Sequence, residues 1–187
     1  MTLARAAGKV ALGMTLTVAT PTPATAAEGE GLAAVGAAFA TARADGRWAP
    51  GAGVAVAGQY GLDDAWSLRA GVSGSWHPVS ADALRPGGHV RALGCSAGVT
   101  YTLDVLRVVP FVTAGVAVQD LHGALRDART DLGVELGGGA DYLLDRRWSL
   151  GLELAYRILP VAVAGDHDAF GGTPQALAAG LRVARRW

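Results

Sequence analysis

The stretch Tyr142-Leu-Leu-Asp145-Arg-Arg-Trp148-Ser-Leu150 decides the fold, because two similar stretches precede it at a constant interval. These are Tyr60-Gly-Leu-Asp63-Asp-Ala-Trp66-Ser-Leu68 and Tyr101-Thr-Leu-Asp104-Val-Leu-Arg107. The three tyrosines lie 41 residues apart, and each stretch reads as a tight turn between two alternating runs. An interval of 41 residues holds two strands of about ten residues and one longer loop, so the repeating unit is a hairpin. Three short turns and four longer loops predict eight antiparallel strands.

Apolar and polar residues alternate through the predicted strands. In 66–76, one face carries Trp66, Leu68, Ala70, Val72, Gly74 and Trp76. The other face carries Ser67, Arg69, Gly71, Ser73 and Ser75. The same alternation is clear in 93–101, 131–142 and 148–158, weaker in 52–61, 108–119 and 175–187, and 32–42 is nearly all Ala and Gly. A period of two residues predicts strands and excludes amphipathic helices.

Two kinds of eight-stranded barrel share this alternation. A soluble barrel points its apolar face inward, whereas a membrane barrel turns that face to lipid and fills its interior with small or polar groups. The polar face here consists mainly of Gly, Ala and Ser and lacks Lys, which suits a crowded interior better than a solvated surface. Six aromatic residues of the apolar face lie beside the short turns, as an interfacial girdle requires: Tyr60, Trp66, Tyr101, Tyr142, Trp148 and Trp187. These features favour an all-β, closed transmembrane barrel.

The N-terminal segment has the composition of a secretory signal peptide. Arg5 and Lys9 precede a short uncharged apolar stretch, and the small residues Ala24-Thr25-Ala26 follow. We therefore predict a signal peptide over 1–26 and a barrel domain over 27–187. Removal of the signal leaves 14 Arg against 16 acidic residues, a balance that argues against a nucleic-acid partner. The single cysteine, Cys95, allows no internal disulfide.

The last strand, Gly180-Leu-Arg182-Val183-Ala-Arg185-Arg-Trp187, together with the short turns, resembles the small bacterial outer-membrane β-barrels. This is the class of the OmpA transmembrane domain, OmpX and OmpW, and the resemblance covers 28–187. It implies an up-and-down barrel with short periplasmic turns, longer extracellular loops and contact with outer-membrane lipid. In this sequence the longer connections between the predicted strands are about ten to fifteen residues each. The six aromatic residues would form a periplasmic girdle. In this family the assembly machinery reads the last strand; Arg185 departs from the pattern, since an apolar residue is usual there.

The charged residues on the polar face are expected to lie inside the barrel and to pair with one another. Glu135 and Arg157 stand at equal height on the sixth and seventh strands, counted from the short turn between them. Glu153 and Arg182 stand at equal height on the seventh and eighth strands, and Arg69 and Asp141 share the interior. An unpaired buried charge is costly, so we predict that these residues form ion pairs. A plug of the narrow lumen is favoured over a gate or proton path.

The sequence offers weaker signals for metal binding and catalysis. The histidines His77, His89, His122 and His167 fall in or beside the longer loops, near aspartates, but without the spacing of a metal site. His77 and Ser75 share the polar face and form the best available pair for a rim enzyme, yet no third group is evident to orient them. We therefore expect no catalytic residues, metal or cofactor.

The predicted function is that of an integral outer-membrane protein with a structural or surface-interaction role, which displays four modest loops. We expect it to be a monomer. Three alternatives stay open: passage of small solutes through a narrow opening, a lipid-modifying enzyme at the rim, and a soluble periplasmic ligand-binding barrel.

Overall fold

The computed structural model describes residues 29–44, 47–79, 88–103, 107–123, 129–164 and 174–187. These residues form eight strands in chain order: β1 (Gly31–Ala44), β2 (Arg47–Gly61), β3 (Trp66–Val79), β4 (Gly88–Thr102), β5 (Val108–Gly123), β6 (Arg129–Leu143), β7 (Trp148–Ala164) and β8 (Gln175–Arg186). The predicted signal peptide, Asp104 and His167 lie outside the described residues.

Each strand pairs antiparallel with the next, and β8 pairs with β1 to close the barrel. The prediction of eight antiparallel strands in a closed up-and-down barrel is confirmed. Closure leaves no strand edge unpaired, so the backbone polar groups are satisfied between neighbouring strands. Among the described residues, no helix is long and apolar enough to cross a membrane.

The repeated aspartate builds the short turns. Asp63 Oδ1 accepts hydrogen bonds from the backbone amides of Ala65 and Trp66, both at 2.8 Å. Asp145 Oδ1 accepts equivalent bonds from Arg147, at 2.6 Å, and Trp148, at 2.8 Å. A short carboxylate that captures backbone amides two and three residues ahead favours a turn over a continued strand. The same sequence signal therefore gives the same local structure at two turns on opposite sides of the barrel.

The strands run further toward the opposite end than the sequence predicted. Strand β1 ends at Ala44 and β2 begins at Arg47, while β5 runs to Gly123 and β6 begins at Arg129. The expected loop length of about ten to fifteen residues is therefore wrong for these two connections. Antiparallel pairing continued beyond the point at which the sequence alternation weakens, because ladder hydrogen bonds do not require an apolar face.

The apolar face points outward and the polar face points inward. Leu152, Val72 and Leu181 are 64%, 59% and 59% exposed, whereas the side chains on the polar face of the same strands are buried or half-buried. This arrangement is the reverse of a soluble barrel. Exposed leucine and valine around the whole circumference have no counterpart on the surface of a monomeric soluble protein, and they match a barrel that contacts lipid.

Candidate functional site in the barrel interior

The lower interior, nearest the short turns, is filled by an ion pair between β6 and β8. Arg182 Nε and Nη2 donate to Asp141 Oδ1 and Oδ2 at 2.9 and 2.7 Å, and both residues are buried. Strand β7 lies between them, and its residue at this height is Gly151, which pairs with both. A Cβ at Gly151 would lie 2.0 Å from Asp141 Oδ1, so only glycine lets the carboxylate cross β7 to reach the arginine.

The ion pair continues across the lumen through Glu153. Arg182 Nη1 donates to Glu153 Oε2 at 3.2 Å, and Arg69 Nη2 donates to Glu153 Oε1. Strands β3 and β7 lie on opposite walls of the ring, so the bond from Arg69 to Glu153 spans the interior. The guanidinium of Arg182 also lies over the ring of Phe111, 4.3 Å from its centroid. Two arginines and two carboxylates therefore form one connected layer.

A second charged layer lies nearer the long-loop end. Arg157 Nε donates to Glu135 Oε2 at 2.5 Å, and the two residues are direct partners in the β6–β7 ladder. Arg157 Nη1 reaches across the lumen to donate to Ser73 Oγ at 2.9 Å. The residue count from the turn thus gave the cross-strand neighbour, whereas the contact with Ser73 depends on closure of the barrel.

A cavity of about 120 Å³ lies beside these layers. Its charged and polar lining includes Arg69, Glu135, Glu153, Arg157, Gln119 and His77. The opposite wall is lined by small residues of β1 and β2, including Gly36, Ala38, Gly53 and Ala55. The cavity is large enough for several water molecules. Space remains here because alanine and glycine on β1 and β2 do not reach the lumen axis.

His77 lies on the polar face with Ser75, as the sequence predicted, and near the long-loop end of its strand. It lies within β3, is 1% exposed, and its Nε2 lies 2.8 Å from Ser75 Oγ. Its Nδ1 lies 3.0 Å from the carbonyl oxygen of Ala49, so Nδ1 carries the hydrogen and Nε2 accepts from the serine hydroxyl. Gly51 makes room for the ring, since a Cβ there would lie 2.7 Å from Nδ1. Both ring nitrogens are therefore engaged within the barrel wall.

Several interior residues were not identified from the sequence. Phe111, Gln119 and Leu121 point inward on β5, and the ion pair between Arg129 and Asp131 lies inside β6, with Nε and Oδ1 2.6 Å apart. The odd-numbered residues of β5 lie on one face, and the polar Thr113 and Gln119 among them indicate that this face points inward. The apolar Phe111 and Leu121 on the same face made this alternation hard to recognise in the sequence.

The six predicted girdle aromatics lie at the short-turn end. Five of them are exposed: Tyr60, Trp66, Tyr142, Trp148 and Trp187. Tyr101 is half-buried because its ring packs against Trp66, with ring centroids 4.9 Å apart. Trp48 and Trp76 are also exposed, at the opposite end of the barrel. Aromatic residues thus mark both ends of the outward apolar belt.

The other histidines on the described strands, His89 and His122, are exposed at the long-loop end. His122 Nε2 lies 2.6 Å from Asp120 Oδ2. Within the described residues, no group of three or more His, Cys, Asp or Glu side chains is arranged to hold a metal ion.

Residues 10–182 match the family model described as the outer membrane protein beta-barrel domain. The chain belongs to this family. The family and the inverted barrel place the protein in the bacterial outer membrane, in contact with lipid. A comparison with curated protein sequences gave no significant match.

Solved structures of small outer-membrane barrels share the fold of this family member. The attachment invasion locus protein Ail of Yersinia pestis is 13% identical, with a TM-score of 0.59 over 86% of this chain and 99% of that one. Neisserial surface protein A is 21% identical, with a TM-score of 0.59 over 83% and 99%. OprG of Pseudomonas aeruginosa is 13% identical, with a TM-score of 0.58 over 87% and 99%. At these identities the likeness concerns the fold.

Proposed function

We propose that this outer-membrane protein has a structural and surface-interaction role, with its lumen closed by side chains. The observation that carries the proposal is the connected chain of Arg69, Glu153, Arg182 and Asp141. These four residues come from β3, β7, β8 and β6, so their contacts link opposite walls of the barrel. Eight strands enclose an interior only just wide enough for side chains, and one such layer suffices to obstruct it.

Conductance across a planar lipid bilayer tests closure of the lumen. We expect the wild-type barrel to show no stepwise conductance attributable to a hydrated pore. A variant with Arg69, Glu153, Glu135 and Arg157 all replaced by Ala removes both links across the lumen and should raise conductance, which provides a positive control. Leu152→Ala, a change on the lipid-facing surface, should leave conductance unchanged. Steady wild-type conductance equal to that of the opened variant would contradict the proposal.

A narrow passage for small solutes is the second candidate, and the cavity favours it. Within the described part of the chain, Arg69 Nη1 and Gln119 Oε1 are buried without a hydrogen-bond partner, and both residues line the cavity. Such atoms are suited to binding water or a small polar solute. Swelling of liposomes in small sugars or amino acids separates the two candidates, since a passage admits solutes that a closed barrel excludes.

Surface interaction is supported by polar groups that face outward at the long-loop end. Arg91, Asp120 and His122 point away from the lumen on β4 and β5, above the exposed Leu93 and Val116. Charged side chains on the lipid face of a barrel are tolerated only near the interface, so these strand ends project beyond the apolar belt. They would present a small polar platform to the medium. Binding of labelled cells or matrix components, compared with an Arg91→Gln variant, tests this role.

The proposal extends to the aromatic residues, the last strand, the signal peptide and the oligomeric state. The exposed aromatic residues at the short turns would form a periplasmic girdle, and the last strand would be read by the assembly machinery. The mature protein would begin after Ala26 and function as a monomer without catalytic activity. N-terminal sequencing of the membrane-embedded protein tests the cleavage site, and its mass in detergent tests the oligomeric state. A retained Met1 would contradict the predicted signal peptide.

A further inference from the structure

The tripeptide Arg-Arg-Trp occurs twice, at 146–148 and at 185–187, and the barrel brings the two copies together. Trp148 is the ladder partner of Arg185 in the β7–β8 pair. The backbone amide of Arg186 donates to the carbonyl oxygen of Arg147 at 2.7 Å. Neighbouring strands lie only about 5 Å apart, so the side chains of both copies share one small area of the periplasmic end.

The two copies leave three arginines exposed at the short-turn end, Arg146, Arg147 and Arg185. Arg186 is buried and points into the barrel. The guanidinium carbon of Arg185 lies 5.6 Å from the centroid of the Trp148 ring, within the range of a cation–π contact. This contact accounts for the arginine at a position where outer-membrane barrels usually carry an apolar residue. The exposed Trp148 ring therefore holds the guanidinium on the outside of the wall.

We call Arg147, Trp148, Arg185 and Trp187 the arginine–tryptophan patch. Its two tryptophans indicate its depth in the membrane. Trp148 and Trp187 are 42% and 69% exposed at the short-turn end of the apolar belt. Tryptophan rings on membrane proteins favour the level of the lipid headgroups. Arg147 and Arg185 therefore lie at the headgroups of the periplasmic leaflet, a placement that rests on the girdle named in the proposed function.

The charge of the patch is suited to an anion. Asp145 lies in the same turn, and Glu30 precedes Gly31, the residue whose backbone bonds to that of Trp187. Asp145 Oδ1 is already engaged by two backbone amides of its own turn. Guanidinium groups bind phosphate through paired, charge-assisted hydrogen bonds. We propose that Arg147, Arg185 and Trp148 form a binding site for the phosphodiester headgroup of an anionic phospholipid.

The opposite side of the barrel shows that the turn itself does not require these arginines. The β2–β3 turn has the same aspartate hydrogen bonds, yet it carries Asp64 and Ala65 where the β6–β7 turn carries Arg146 and Arg147. One turn is acidic and the other basic, although both have the same backbone. The site therefore binds lipid on one side of the barrel only.

The test measures the relative association of spin-labelled phosphatidylglycerol and phosphatidylcholine with the refolded full chain. We expect wild type to favour phosphatidylglycerol by at least about fivefold, because one well-placed cation gives about that preference and the site holds two. The variant Arg147→Gln with Arg185→Gln should remove most of this preference, and the corresponding Arg→Lys variant should keep a part of it. Arg107→Gln removes an exposed arginine from another turn and serves as the matched control. Heat-modifiable migration checks that each variant folds.

Three results would overturn the lipid site: no wild-type preference, a preference unchanged in the double Gln variant, or an equal loss in Arg107→Gln. If the purified wild-type protein shows no lipid preference and the double Gln variant assembles poorly in cells, these arginines would instead belong to the signal that the assembly machinery reads. A nitroxide on Leu144→Cys, in a Cys95→Ser background, reports the depth of the short turns. If the nitroxide lies away from the headgroups, the proposed aromatic girdle is contradicted. If it lies at the headgroups but the protein shows no lipid preference, only the lipid site is contradicted.

Discussion

The interior of the barrel has two unlike sectors. The charged sector comprises Glu135, Asp141, Glu153, Arg157 and Arg182 on β6, β7 and β8. The small-residue sector comprises the inward-facing Ala34, Gly36, Ala38, Ala40 and Ala42 of β1 with Gly53, Ala55 and Ala57 of β2. The first fills the lumen with ion pairs, and the second leaves the cavity beside it.

The difference shows how one narrow barrel can be rigid on one side and roomy on the other. Long charged side chains must find partners when they are buried, so each one fixes the position of another. Alanine and glycine need no such partners, and their side chains are too small to fill the cavity next to β3. Stability of this barrel should therefore be far more sensitive to changes in the charged sector.

The largest effect is expected for Arg182, the central cation of the charged sector. Replacing Arg182 with Met should destabilise the barrel by about 3–5 kcal/mol, because Asp141 is left as a buried and uncompensated charge. Adding Asp141→Asn should recover most of the loss, because Glu153 keeps its partner Arg69. Gln59→Leu in β2 is the comparison, and it should cost much less because it leaves no charge behind. Urea unfolding in lipid vesicles measures all of these, and equal losses for the single and double variants would contradict the ion-pair account.

The pair of Glu135 and Arg157 should show a coupling of roughly 1–3 kcal/mol in a double-mutant cycle. The cycle uses Glu135→Gln, Arg157→Met and the combination of the two. A second cycle with Ser73→Ala separates the bond to Glu135 from the bond that Arg157 makes across the lumen. Additive effects in the first cycle would mean that the pair contributes no coupling despite its short distance.

Enlarging an inward-facing alanine should destabilise the barrel much less in the small-residue sector than in the charged sector. Ala55→Leu extends into the cavity and should change stability by less than about 1 kcal/mol, because room is present. Ala184→Leu is the matched change on β8, where the alanine is 1% exposed, and overpacking should cost about 1–3 kcal/mol. A larger loss for Ala55→Leu than for Ala184→Leu would remove the distinction between the sectors.

The smallest effect concerns the turn next to the small-residue sector. Hydrogen bonds from the amides of Ala65 and then Trp66 hold the pKa of Asp63 below its ordinary value of 3.8. The stabilisation is therefore complete above the unfolded-state pKa and is lost as pH falls through the lower folded-state pKa. Asp63→Asn should reduce the acid dependence of the unfolding midpoint between neutral and strongly acidic pH. An unchanged acid dependence would show that this carboxylate does not contribute.

Short-range features of this barrel could be predicted from sequence. The two-residue alternation assigned Leu152 to the outside and Ser149 to the inside, because the direction of a side chain on a strand depends only on the pleat. The repeated aspartate fixed the β2–β3 and β6–β7 turns through hydrogen bonds within three residues. Counting outward from one turn gave Glu135 and Arg157 as ladder partners, since register within a hairpin follows from the turn.

Contacts that join distant strands were decided only by the closed barrel. The sequence placed Glu153 level with Arg182, but Arg182 makes its two shorter bonds with Asp141, and Glu153 also binds Arg69 on the opposite wall. Likewise, the two Arg-Arg-Trp copies meet only because β7 pairs with β8. The physical reason is that contacts across the lumen depend on the tilt and stagger of all eight strands, which no single strand or hairpin contains.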